Sequence, residues 1–175
     1  GQIIKQMDEA AEAGAKIIVF PELCITGYTC SDLFLQDILL NSAKKALVKI
    51  AEHTKNLDAL VFVGVPIAVG GELYNAAAAL NHGNILGFTT KSFLPNYGEV
   101  YEMRQFRPGP KKAEKILFGG KEIPFGPQLL FVENQMANLI VSAEICEDVW
   151  SPVPPSIEAA REGATVIVNC SASDE

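Results

Sequence analysis

Three residues of different chemistry each follow directly on an apolar run: Glu22 after KIIVFP, Lys91 after ILGFTT and Cys146 after ANLIVSAEI. A thiol at a strand-to-helix turn feels the helix N-terminus, which favours the thiolate, the nucleophilic form. A lone cysteine is more often a small buried hydrophobe, but the polar pair Glu147-Asp148 right after this one strengthens the chemical reading. A cysteine nucleophile needs a base. His53 sits near the end of a helical stretch and His82 in the turn Asn81-His82-Gly83-Asn84, where solvated or capping roles suffice. The base is therefore expected to be a carboxylate. Glu22 leads, because burial at a strand's carboxyl edge raises a carboxyl pKa toward neutrality; the plainer alternative is a solvated loop glutamate. A lysine at a strand end can donate to a developing oxyanion, although most lysines are surface charges. Each residue is weak evidence alone. Together, three strand ends pointing at one sheet edge suggest attack by a thiol on a carbonyl.

The elements that must position them are legible in outline. QIIKQMDEAAEAG has helical spacing at Ile3, Ile4, Met7, Ala10 and Ala11, with Gly14 where a terminating glycine belongs. AKIIVF (15–20) reads as a fully buried strand, and 31–56 as one long helix with Ser31 as N-cap. Its apolar face is Leu35, Ile38, Leu39, Ala43, Leu47 and Ile50. ALVFVGVPIAV (59–69) is a strand, and GGELYNAAAAL with ILGFTTK makes a hairpin. Residues 95–127 read as loop with short strands, followed by strands LLFVE (129–133) and ANLIVSAEI (137–145). Pro154 and Pro155 open a helix that Gly163 closes, before the buried strand ATVIVN (164–169). An internal echo, EAAEAGAKIIVFPEL against EAAREGATVIVNCSA, repeats helix, glycine and strand. The pattern predicts an α/β sandwich with parallel and antiparallel pairing, its ligand site beyond the strands' carboxyl ends. The chain begins inside a helical pattern and stops just after a strand, so the sandwich is expected to be truncated at both ends.

Composition narrows the function class. Half of the 175 residues are apolar (49%) and 20% are charged, a globular profile. No apolar stretch approaches the roughly 18 residues of a membrane helix, and the amphipathic opening with Lys5, Asp8 and Glu9 is unlike a signal peptide. A net charge of −7 leaves no basic footprint for nucleic acid. Cys24, Cys30, Cys146 and Cys170 form no CxxC pair, and two histidines offer few zinc ligands, so no metal site is expected. Free thiols fit a reducing cytoplasm. The sequon Asn169-Cys170-Ser171 ends an apolar strand and reads as chance.

Four segments together resemble the nitrilase, or carbon–nitrogen hydrolase, superfamily: FPELCITGYTCSDLF (20–34), KSFLPNYGEVYEMRQF (91–106), EICEDVW (144–150) and NCSAS (169–173). TGYTCSDLF and LPNYGEVYEMRQF are specifically similar to the glutaminase domain of glutamine-dependent NAD synthetases. The resemblance implies a four-layer αββα sandwich and a triad of Glu22, Lys91 and Cys146, with Glu102 bracing the lysine. It places Tyr28, Tyr97, Trp150 and Ser173 around a glutamine pocket. For the two tyrosines packing is as good a reading as substrate contact; Trp150 could be core and Ser173 a plain strand-end hydroxyl. The implied chemistry is glutamine amide hydrolysis through a cysteine thioester, the ammonia passing to a synthetase domain that amidates deamido-NAD to NAD. The whole of 1–175 is expected to be an incomplete amidohydrolase domain without its synthetase partner. No cofactor is expected here, since ATP, Mg and deamido-NAD belong to that partner and no GxxxxGK[ST] or GxGxxG motif is present. A homo-oligomer is a further expectation. The rivals are a free-standing amidase for another small amide and a non-catalytic fragment.

Overall fold

The computed structural model describes residues 1–98 and 100–173. Helix α1 (Gln2–Glu12) buries Met7 and is closed by Gly14 at φ 90°, a left-handed position that glycine occupies without strain. Strand β1 (Ile17–Val19) follows, then helix α2 (Asp37–His53), which presents Ala43, Leu47, Ile50 and Ala51 to the core. Strands β2 (Leu60–Val69), β3 (Glu72–Asn81) and β4 (Asn84–Thr90) form an antiparallel meander, the last turn made by His82 and Gly83, both at positive φ. After a two-residue ribbon, β5 (Asn96–Tyr97) with β6 (Val100–Tyr101), a hairpin of β7 (Glu114–Phe118) and β8 (Lys121–Gly126) rejoins the sheet. Its order is β1-β2-β3-β4-β8-β7, with β1–β2 and β4–β8 parallel. A second sheet holds β9 (Phe131–Val132), β10 (Ile140–Ile145) and β11 (Val166–Cys170) in the order β11-β10-β9. Helix α3 (Pro155–Arg161) crosses from β10 to its parallel neighbour β11.

The near-continuous apolar runs of β2 and β3 exist because both faces of the first sheet are covered. Val61, Val63, Val65 and Ile67 of β2, with Ala76, Ala78 and Leu80 of β3, pack beneath α1 and α2 against Met7, Leu47 and Ile50. The alternate residues Phe62, Ala77 and Ala79 face Val141, Ala143, Ile145, Val168 and Cys170 of the second sheet. Phe62 is fully buried between the sheets, worth about 1.5–3 kcal/mol over leaving it in water. The layers therefore run helix, sheet, sheet, helix. The small alanines of β3 let the sheets approach, and β1, β2 and β4 run opposite to β3, so their carboxyl ends lie at the edge where β3 begins.

Two local expectations are corrected. The stretch 31–56 is not one helix: Ser31–Leu35 and Thr54–Asn56 are 3₁₀ turns, and Gln36 is extended at φ −98°, ψ 125°. Ser31, at φ 49°, is not the N-cap of α2; Gln36 is. The supposed apolar stripe breaks there too, because Leu35 and Ile38 are exposed while Phe34 turns inward onto Phe106. Neither β1 nor β11 is buried throughout, as Val19 and Ile167 face outward. The region 95–127 is loop with short strands, as expected, and β8 extends the main sheet.

Candidate active site

Pro21, Glu22 and Leu23 cross directly over Gly64 of β2. A Cβ at Gly64 would lie 2.2 Å from the Leu23 nitrogen and 2.5 Å from the Pro21 carbonyl oxygen, so only glycine lets the backbone pass. The crossing turns Glu22 inward, to 2% exposure. Lys91 continues β4; its N–H donates to the Asn75 carbonyl at 2.9 Å, and its carbonyl accepts the Gly109 N–H at 2.8 Å. Glu102 opens the 3₁₀ turn Glu102–Arg104, also buried. At the centre, Lys91 Nζ donates to Glu22 Oε1 and Glu102 Oε1, each at 2.6 Å. Each of those oxygens takes a second donor at 2.7 Å: Asn75 Nδ2 on Glu22 and the Tyr28 hydroxyl on Glu102. The other oxygen of each carboxylate, Oε2, has no partner.

Cys146 begins the 3₁₀ turn Cys146–Trp150 with φ 43°, a left-handed conformation unusual for a residue with a Cβ. Three side chains hold it there. The Asn169 amide clamps its backbone, accepting the N–H at 3.0 Å and donating to the carbonyl at 3.4 Å. Ser171 Oγ donates to the thiol sulfur at 3.4 Å and bonds Ser173 Oγ at 2.8 Å. Asp148, fully buried, accepts the N–H groups of Ile145, Ser92 and Phe93.

Electrostatics separate the roles. Burial pushes the Glu22 carboxyl above the usual carboxylate range, offset in part by Lys91, and the Glu102 charge pushes it further. Burial alone would depress Lys91, but the two carboxylates outweigh it and hold the ammonium above the ordinary lysine value. The Cys146 thiol is also raised, by burial first and by the Glu22 charge, against the Ser171 hydrogen bond. This corrects the expectation of a thiolate favoured by a helix N-terminus: a five-residue 3₁₀ turn supplies little dipole, and burial beside an anion outweighs it. A thiol and a carboxyl group, both of elevated proton affinity and interacting through charge, are a combination suited to proton transfer on demand.

Glu22, Lys91, Glu102 and Tyr28 are thus brought into one hydrogen-bonded cluster, and Cys146 lies within its field. Tyr28 reaches Glu102, with its proton held tightly by burial and by that carboxylate. Ser173 meets the thiol only through Ser171. Tyr97 is exposed, its hydroxyl donating to Glu147 at 3.0 Å. Trp150 is 78% exposed, which excludes the core role open to it from sequence. Sequence reading missed Asn75, Asp148, Glu147, Asn169 and Ser171. The last two lay inside the sequon; the Asn169 amide is engaged on Cys146. A cavity of about 480 Å³ at the opposite end of the strands, beside Lys16, Asp58 and Phe131, carries no such cluster, its Lys16 and Asp58 being paired at 2.6 Å. Among the described residues no group of three or more His, Cys, Asp or Glu is placed to hold a metal ion, and no helix is long and apolar enough to cross a membrane.

The profile of the carbon–nitrogen hydrolase family matches residues 1–175. The chain belongs to that family. Among carbon–nitrogen hydrolases it is 41% identical over 160 residues to the glutamine-dependent NAD(+) synthetase of Mycobacterium tuberculosis, covering 91% of this chain and 24% of that protein. The glutamine-dependent NAD(+) synthetase of Aquifex aeolicus is 38% identical over 172 residues, 98% of this chain and 27% of that protein. The crystal structure of a glutamine-dependent NAD(+) synthetase from Cytophaga hutchinsonii superposes with a TM-score of 0.84 at 34% identity, covering 98% of this chain and 27% of that chain. An amidase from Nesterenkonia sp. AN1 shares the fold, with a TM-score of 0.69 at 24% identity over 99% of this chain and 59% of its own. The architecture is therefore the nitrilase-type α/β fold of a hydrolase. The chain spans about a quarter of the length of the synthetases it matches.

Proposed function

We propose that this chain is a glutamine-hydrolysing domain that supplies ammonia to a synthetase domain for the amidation of deamido-NAD. The observation that carries the reading is the Lys91 ammonium fixed between Glu22 and Glu102, with Glu22 Oε2 unpartnered and the Cys146 thiol raised in part by the Glu22 charge. Glu22 Oε2 takes the thiol proton as the sulfur attacks the side-chain amide carbon of glutamine. Two of the three Lys91 ammonium protons are spent on carboxylates; the third is left to meet the oxyanion, together with a backbone N–H near Glu147. Collapse of the tetrahedral intermediate breaks the C–N bond, the proton on Glu22 passes to the departing nitrogen, and ammonia leaves a glutamyl thioester. Water then attacks the thioester, Glu22 accepts its proton, and the thiol is restored as glutamate departs.

The mouth of the site suits an amino acid. Glu147, next to the nucleophile and steadied by Tyr97, offers a carboxylate to the α-ammonium of glutamine. ATP, Mg and deamido-NAD are assigned to the synthetase domain, and assembly of several copies and a cytoplasmic setting accompany this proposal. The test is ammonia release from glutamine and from simple amides such as acetamide by the intact protein and its Cys146→Ala variant. Glutamine turnover that disappears in the variant supports the reading. Turnover of simple amides in preference to glutamine moves it to a general amidase, and activity that survives Cys146→Ala ends it.

A further inference from the structure

We propose that Asn75 is the positioning residue that assigns the proton-accepting oxygen of Glu22, by tying down Oε1 and docking Lys91 from the same strand position. This rests on the reading of Glu22 as the base for Cys146. Asn75 lies on β3, 1% exposed. Its side-chain Nδ2 donates to Glu22 Oε1 at 2.7 Å, and its main-chain carbonyl accepts the Lys91 N–H at 2.9 Å. One residue thus sets where both the base and the lysine stand. With Asn75 Nδ2 and Lys91 Nζ both on Oε1, negative charge is best held there, and an incoming proton goes to the free Oε2. Held by Lys91 alone, the carboxylate could turn about its soft terminal torsion and exchange its two oxygens.

A purely structural role fits Asn75 poorly. Its Oδ1 is buried without a partner, a standing cost that an apolar side chain of the same size would avoid. The charged and titratable groups that interact with the Glu22 charge are Lys91, Glu102, Tyr28, Cys146 and the buried Cys170. Of the donors on its carboxylate, only Asn75 can be exchanged for an apolar group without removing a charge.

The experiment follows, on the intact protein, the pH dependence of glutamine kcat/KM and of Cys146 alkylation by iodoacetamide, in wild type, Asn75→Leu and Asn75→Asp. Removing a donor from a carboxylate disfavours its ionised form, so the acid limb should move to higher pH. We expect about one pH unit for Asn75→Leu and more for Asn75→Asp, which adds a negative charge, with KM within about twofold of wild type. An acid limb that stays in place in both variants, with rates reduced only in proportion to the folded fraction, overturns the proposal. Loss of the fold in both overturns it equally, since Asn75 would then be a packing residue. Iodoacetamide reports on the Glu22–Cys146 pair without glutamine, so failure of the glutaminase reading leaves this test intact.

Discussion

Asp148 accepts the backbone N–H of Phe93 at 2.8 Å, and so bonds the turn that carries Cys146 to the segment that carries Lys91. The same carboxylate takes Ser92 N–H at 3.0 Å and Ile145 N–H at 3.1 Å, spanning 55 residues of sequence between Phe93 and itself. Cys146 and Lys91 follow strands of different sheets, and this buried acid is a direct hydrogen-bonded tie between their two segments.

Asp148→Ala leaves one buried N–H group, that of Ile145, and two partly buried ones, those of Ser92 and Phe93, without an acceptor, at about 1–3 kcal/mol for a buried group and less for the others. The expected outcome is a loss of several kcal/mol in urea denaturation. Specific activity of the remaining folded protein should also drop at least tenfold, because the two arms lose their common tie. Full activity per folded molecule would show that the tie is dispensable.

The pH dependence of this acid has a definite sign. Burial raises the Asp148 carboxyl to about 6, despite its three amide donors. A folded-state pKa above the unfolded one gives a contribution that is complete below the unfolded pKa and is lost as pH rises through the folded one. Asp148 therefore favours folding most below about pH 4 and loses that contribution by about pH 7, roughly 3 kcal/mol in all. The side-chain amide introduced by Asp148→Asn does not titrate, so this variant should gain on wild type in denaturation midpoint between pH 4 and 7. A gap that widens in favour of wild type over that range would contradict this.

Gly64→Ala puts a methyl group 2.2 Å from the Leu23 nitrogen. Backbone cannot yield as a flexible side chain does, so the cost should reach about 2–4 kcal/mol. The Pro21–Leu23 crossing must move, and Glu22 with it. Thermal melts and glutaminase rates should both fall, the rate by more than the unfolded fraction explains.

Lys91→Met removes the cation bonded to two buried carboxylates. Breaking such a buried pair costs about 3–5 kcal/mol. Because Glu22, already raised by burial, can shed the penalty by taking up a proton, the variant's deficit should shrink between pH 8 and pH 5. Activity should be absent at every pH. A deficit independent of pH would mean that water or another cation compensates the carboxylates.

Glu147→Gln tests the assignment of the glutamine α-ammonium. Loss of a charged partner predicts a KM higher by about 10–100-fold with a smaller change in kcat. Equal effects on glutamine and on a simple amide lacking the ammonium would place Glu147 elsewhere in the mechanism.

The sequence offered Glu22, Lys91 and Cys146 as candidates because each sits at the end of an apolar run, and strand ends in an α/β sheet are where chemistry collects. Helix α1, the hairpin of β3 and β4, and the boundaries of α3 were legible from glycines, prolines and apolar periodicity. The stretch 31–56 misled for a physical reason. Leu35 and Ile38 continue a helical stripe on paper, but Phe34 gains more by stacking edge-on against Phe106, at 5.0 Å between rings, and the chain breaks at Gln36 to permit it. Nothing local announces a partner so far along the chain.

By itself, the sequence determined the class of fold through its local periodicity and the family through its motifs, and it put forward Glu22, Lys91 and Cys146 as candidates. Only the tertiary structure decided how the charges are shared. Glu22 Oε1 meets both Lys91 and Asn75 while Oε2 stays free, Tyr28 turns to Glu102, and Asn169 leaves its sequon to hold Cys146. Proton affinities follow from burial and from neighbours brought across 53 or 69 positions of chain, and those contacts come into being only when β1, β3 and β4 assemble into one sheet.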